Sequence, residues 1–141
     1  MDKSYKQSFK VVGRDFIHAG RVATEIKMIL KQLGLNSDIV RRIAIASFEA
    51  EMNVVMYAKK SVFNLEVSPK EIKIISEDEG PGIPDIELAM KEGYSTATSE
   101  MREMGFGAGM GLPNIKKNAD VFNITSEVGK GTKFEIIVYI N

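Results

Sequence analysis

The chain contains no cysteine, which removes disulfides, thiolate catalysis and cysteine-ligated metal sites. Its single histidine, His18, cannot make a histidine-rich metal centre, and a surface or packing role is expected for it. Nineteen Lys and Arg balance nineteen Asp and Glu. No overall field therefore draws the chain to nucleic acid or to an anionic membrane, and neither is expected as a partner. No apolar run approaches the roughly 20 residues that span a bilayer. The opening residues, Met1-Asp2-Lys3-Ser4-Tyr5, lack the apolar stretch of a signal peptide. Cytoplasmic residence is the resulting expectation. What is present is 141 residues, 44% apolar and 27% charged, an ordinary globular composition long enough for one core.

Residues 5–12 are rich in strand formers and predict a first strand. From Phe16 to Leu33 the positions Val22, Ile26, Ile29, Leu30 and Leu33 fall on one helical face, with Gly34 as the residue after the helix end. Asn36, Ser37 and Asp38 offer caps for a second helix running to about Ala58. Strands are predicted over 61–67 and 71–76, joined by a turn at 68–70. Glu77 to Pro84 reads as a loop, and a short helix follows around Asp85 to Lys91. Residues 92–111 hold five glycines and no hydrophobic period, and a segment of this length without regular structure points to a functional loop such as a lid. A helix from Leu112 to about Asp120 and a hairpin over 121–127 and 132–140 complete the chain. With no repeat and no linker, 1–141 is expected to be one α+β domain: a two-layer sandwich whose mostly antiparallel sheet carries helices on one face.

Four places suit chemistry. Gly105-Phe106-Gly107-Ala108-Gly109-Met110-Gly111 runs straight into an apolar helix. Glycines let backbone approach a ligand, and the helix start offers unpaired N–H groups to an anion. Taken alone, such a stretch is equally a flexible connection. It is not a P-loop, because no Lys-Ser or Lys-Thr closes it, and it lacks the third glycine of a dinucleotide fingerprint. Glu49 and Asn53, four apart on the second helix, share one face. A carboxamide oxygen suits Mg²⁺ and a neighbouring carboxylate suits a general base, although a solvated polar face with Glu51 as companion has the same spacing. Asp78-x-Gly80-x-Gly82 places a hydrogen-bond acceptor beside glycines that admit a flat ring, or is simply an acidic turn. Thr132 follows Gly131 at the start of the last strand.

In order, these motifs resemble the nucleotide fold shared by type II topoisomerases, sensor histidine kinases, mismatch-repair ATPases and anti-sigma-factor serine kinases. This is the GHKL group, with the Bergerat or histidine-kinase-type ATP-binding fold. The likeness spans Phe9 to Ile140. Its small size and the runs Asp78 to Met90, Gly93-Tyr94-Ser95-Thr96 and Ser126 to Thr132 are similar to the switch-kinase branch of the bacterial stressosome. The resemblance implies ATP with Mg²⁺ as cofactors, Mg²⁺ held by Asn53 and a substrate hydroxyl activated by Glu49. Asp78 would take the adenine amine, with Gly80 and Gly82 beside the ring and Thr132 acting through water. Gly105, Gly107, Ala108, Gly109, Met110, Gly111 and Leu112 would wrap the phosphates at the end of an ATP lid over about 92–111. The implied activity is serine/threonine phosphorylation of a small STAS-type anti-sigma-factor antagonist in a partner-switching pathway. A sigma factor, a phosphatase and a second copy of the chain are the other partners implied. A nucleotide-dependent binding module without transfer, and a slow ATPase, are the competing readings. The sequence departs from the family pattern at Tyr57, where many relatives carry His. It departs also over Ala97 to Met104, which lengthen the lid, and at Glu51, an additional acid near the metal site.

Overall fold

The computed structural model describes residues 4–91 and 111–140. Five strands form one sheet: β1 (Tyr5–Val12), β2 (Lys60–Val67), β3 (Glu71–Glu79), β4 (Val121–Glu127) and β5 (Gly131–Tyr139). Their order is β1-β2-β3-β5-β4 and every neighbouring pair is antiparallel. Among the described residues the helices are α1 (Arg21–Gln32), α2 (Ser37–Tyr57), the single turn α3 (Ile86–Ala89) and α4 (Gly111–Asn118). The α+β sandwich expected from the sequence is the fold observed.

Strand alternation explains the layering. Phe63, Leu65 and Val67 on β2, Ile72 and Ile74 on β3, and Phe134, Ile136 and Val138 on β5 are buried on one face, while Asn64, Lys133 and Tyr139 point the other way and are exposed. Against the buried face lies α2, which touches β1, β2, β3 and β5. Its Ile43, Ala46, Ala50 and Val54 are all within 1% of complete burial, and the two alanines let the helix approach closely. Asn36 caps α2, its side chain accepting from the amides of Asp38 at 2.8 Å and Ile39 at 3.3 Å. At the end of α1, Gly34 N–H donates to Lys31 O and Leu35 N–H to Leu30 O, the paired bonds of a Schellman motif.

The start of α1 differs from the sequence reading. The helix begins at Arg21 rather than Phe16, because 13–20 is spent on turns in which Arg14 and Gly20 take positive φ. Gly20 supplies no capping side chain. The cap comes instead from Glu51 of α2, whose carboxylate accepts from the amides of Gly20 (3.0 Å), Val22 (3.2 Å) and Ala23 (2.9 Å). Glu51 is only 2% exposed, so it belongs neither to a solvated face nor beside the proposed metal ligand. Burial pushes its carboxyl above the ordinary range, opposed by the three amides and by Arg21. Leu33 also departs from expectation, at 46% exposed, since the Schellman turn carries it past the core-facing stripe.

Because removing the carboxylate strands three amides at a buried helix start, Glu51→Ala is expected to cost about 2–4 kcal/mol. Glu51→Gln, which still accepts, loses less. Chemical denaturation checks this, and an unchanged midpoint for the alanine variant would mean that the α1 amides find other acceptors.

A second tie orients α4. Arg42 of α2 donates to Asn118 O and to Asp120, each at 3.0 Å, and Asp120 accepts the Tyr139 amide at 2.7 Å. That amide, more than Arg42, holds the Asp120 carboxyl below its ordinary value. The C-terminal end of α4 is thereby fixed to α2 and β5, and its N-terminal end lies further along α2.

Candidate functional site

The floor of the site is a polar row at one end of the buried sheet face. β3 continues to Glu79, past the Ser76 end expected from the sequence, so Asp78 is still in register opposite Ser61 of β2. Ser126 of β4 stands opposite Thr132 of β5. The Thr132 amide donates to Asp78 Oδ1 at 2.9 Å, which joins the two halves of the row. Ser61 is held by Ser76 and by Glu77 O, both at 3.0 Å. Burial raises the Asp78 carboxyl above its ordinary value, and the Thr132 amide pulls it back only in part. A half-buried carboxylate with one oxygen committed and a raised proton affinity is poised to accept a hydrogen bond from a ligand.

Backbone geometry brings the neighbouring loop onto this floor. Gly82 has φ 78°, and a Cβ there would lie 2.5 Å from Glu127 O. At Gly131 a Cβ would meet Asp78 O at 2.0 Å. Only glycine admits these approaches. Gly80 packs against Ala58, the residue that ends α2, so the sheet row and the C-terminal end of α2 are in contact.

Along α2, Asn53 lies about 7.5 Å of helix rise before Ala58, and Glu49 about 6 Å before that. Both side chains are half-buried. Glu49 Oε2 accepts a 2.7 Å bond from Asn114 Nδ2 on α4, a pairing with no local signal, because Asn114 sits 65 positions away. The carboxamide of Asn53 takes no hydrogen-bond partner among the described residues. Among those residues no three His, Cys, Asp or Glu side chains cluster as a metal cage. A cation at Asn53 would therefore be shared with water and phosphate, as Mg²⁺ commonly is.

The described structure thus brings Asp78, Gly80, Gly82 and Thr132 together and sets Glu49 against α4. Gly111 opens α4, and Leu112 is buried behind it. The first amides of a helix have no intrahelical acceptors, and here they belong to Gly111 and Leu112, because Pro113 has none. Gly105, Gly107, Ala108, Gly109 and Met110, with the rest of the expected lid through 110, lie outside the described residues. Two other grooves lie elsewhere. One of about 630 Å³ is lined in part by Met90, Lys116 and Phe122, the other of about 440 Å³ by Lys27, Val40 and Arg41. Neither includes Asp78 or Thr132.

Residues 30–140 match the family model described as histidine kinase-, DNA gyrase B-, and HSP90-like ATPase. The chain is similar to the serine/threonine-protein kinase RsbT of Bacillus subtilis strain 168, with 36% identity over 116 residues, 79% of this chain and 81% of that one. It is similar also to the anti-sigma F factor of Thermoanaerobacter sp. strain X514, 30% identical over 122 residues, 83% of this chain and 82% of that one. Among solved structures it resembles the mycobacterial sensor histidine kinase MprB, with a TM-score of 0.52 over 96% of this chain and 97% of that one. Their sequence identity is 14%, so that likeness concerns the fold.

Proposed function

The chain belongs to the histidine kinase-, DNA gyrase B-, and HSP90-like ATPase family, and from that footing we propose that it is an ATP-dependent serine/threonine protein kinase of the anti-sigma-factor regulatory type. It acts as one ATP-binding domain on a small STAS-type antagonist protein within a partner-switching pathway, and it works as a homodimer in the cytoplasm. Among the described residues no helix is long and apolar enough to cross a membrane.

Asp78 accepts from the exocyclic amine of adenine, Thr132 supports the ring through water, and Gly80 and Gly82 leave room for it. The amides from Gly105 to Leu112 take the phosphates. Asn53 would hold Mg²⁺, which would supply charge neutralisation for the phosphates. Glu49 receives the proton of the substrate hydroxyl as that oxygen bonds to the γ-phosphorus and ADP leaves. Glu49 is the observation that supports catalysis over mere binding. It is a half-buried carboxylate oriented by Asn114 and one helical turn from Asn53, an arrangement a passive nucleotide binder has no need of.

The test is incubation with γ-labelled ATP, Mg²⁺ and small STAS-type antagonist proteins. Label on a serine or threonine of one such protein is expected. The Asn53→Ala variant should lose transfer and the Mg²⁺ dependence of nucleotide binding together. Unchanged Mg²⁺-dependent affinity would show the metal to be held elsewhere. Intact ATP binding without transfer to any antagonist would leave a nucleotide-dependent binding module, the reading that resemblance to an anti-sigma factor supports. Steady phosphate release without a partner would point to a slow ATPase.

A further inference from the structure

We propose that Ser126, outside the ligand contacts described above, is a positioning residue that fixes Thr132 as a hydrogen-bond donor toward the acceptor edge of the purine. The inference rests on the reading of Asp78 and Thr132 as the adenine contacts.

Ser126 Oγ accepts the Ile83 amide at 2.7 Å and lies 2.9 Å from Thr132 Oγ1 and 3.2 Å from Gly131 O. Each hydroxyl owns one proton. If Ser126 donates to Gly131 O, the contact between the hydroxyls must be made by the proton of Thr132, which then faces the site with lone pairs only. If Ser126 donates to Thr132, the Thr132 proton is free to point into the site. The shorter of the two acceptor distances favours the second arrangement. It also lets every group donate and accept in one direction, from the Ile83 amide to Ser126 to Thr132 and outward, and hydrogen bonds so aligned strengthen one another.

Adenine presents an acceptor, ring nitrogen N1, beside its exocyclic amine. Asp78 provides the acceptor for the amine, and a Thr132 donor, acting across one water, completes the complement. Ser126 thus has two effects from one atom. It holds the loop of Gly80, Gly82 and Ile83 to β4, and it sets the polarity of the hydroxyl that meets N1.

The experiment compares ATP with 1-deaza-ATP, in which C–H replaces N1, by equilibrium binding to the intact protein. The wild type should prefer ATP by about 10-fold, the worth of one well-placed hydrogen bond. Ser126→Ala should weaken ATP about 10-fold and 1-deaza-ATP by no more than about 3-fold, so that the preference largely collapses. Ser126→Thr, which keeps a hydroxyl, should restore it. Ser126→Cys keeps the volume with a weak donor and should show the same collapse, so a folding defect of the alanine variant cannot hide the result. Equal losses for both nucleotides would mean that Ser126 only braces the loop, and the inference falls. Asp78→Asn separates the two levels. If that substitution cuts ATP affinity while Ser126 variants keep the preference, the purine site stands and the role of Ser126 is wrong. If Asp78→Asn changes nothing, both are wrong.

Discussion

Glu49→Gln is expected to leave ATP affinity within about two-fold while lowering phosphoryl transfer by about 10²–10⁴, the usual worth of a positioned general base. The two side chains have the same shape. The amide oxygen of glutamine can still accept the 2.7 Å bond that Asn114 Nδ2 gives to Glu49 Oε2, so the packing of α4 on α2 is preserved. What is lost is a group able to take a proton. In phosphoryl transfer the protein contributes mainly by placing groups and stabilising charge. The proton of the attacking hydroxyl is one of few items a side chain must handle itself. Single-turnover transfer of label, measured beside a nucleotide binding isotherm, gives both quantities. Wild-type turnover in the glutamine variant would remove Glu49 from the chemistry and leave it a structural partner of Asn114. A parallel loss of ATP affinity would instead place it in the nucleotide site.

Much of the frame was legible because it is written locally. Asn36 before an apolar period, Gly34 after one, and the alternation of Phe63, Leu65 and Val67 each act over a few residues, and each sits in the structure as expected. The nucleotide fold was legible for another reason: Glu49, Asn53, Asp78, Gly80, Gly82 and Thr132 occur in an order that few folds share, and the family match over 30–140 bears out that fold.

Apart from Leu33, which a local turn exposes, the failures are long-range. Local pattern misplaces the start of α1 because its cap is a carboxylate 31 positions downstream of Gly20, and the role of Glu51 is hidden for the same reason. A helical period shows which face of α2 is apolar but not that a second, polar spot on it meets another helix end. Composition reads Asp78 as loop because Asp, Glu, Gly and Pro dominate its neighbourhood. Ladder pairing with Ser61 nevertheless extends β3 through it. Asn114 carries no motif and Ser126 only opens a family-like run that assigns it no role; the crossing of α4 over α2 and the register of β4 on β5 bring them to the site.

Asp78→Asn is expected to weaken ATP by about 100-fold, because it removes a charge-assisted acceptor and substitutes a donor facing a donor. The Thr132 amide already occupies Asp78 Oδ1, and an asparagine would keep its oxygen there. Its Nδ2 would then replace the second oxygen, the one proposed to accept from the adenine amine. A 6-oxopurine carries an acceptor at that position, so GTP should lose less than ATP, and the preference between them should narrow or reverse. Equal losses for the two would count against an adenine contact at Asp78.

The same change should not harm the fold. Burial raises the Asp78 carboxyl above its value in the unfolded chain, so the folded state holds the proton more tightly. Stability tied to this group is therefore full below the unfolded value near 3.8 and declines as pH rises through the folded one. At neutral pH the ionised carboxylate opposes folding, and the neutral asparagine removes that opposition. The ligand-free variant should consequently be as stable as the wild type or more so at pH 7, with any advantage vanishing in acid below the unfolded value. Thermal unfolding across that range, without nucleotide, measures it. A variant destabilised at pH 7 would mean that the Thr132–Asp78 bond matters more to the sheet than burial of the charge costs it. A carboxylate that weakens the empty protein and strengthens only the liganded one is what a binding residue, as opposed to a structural one, should be.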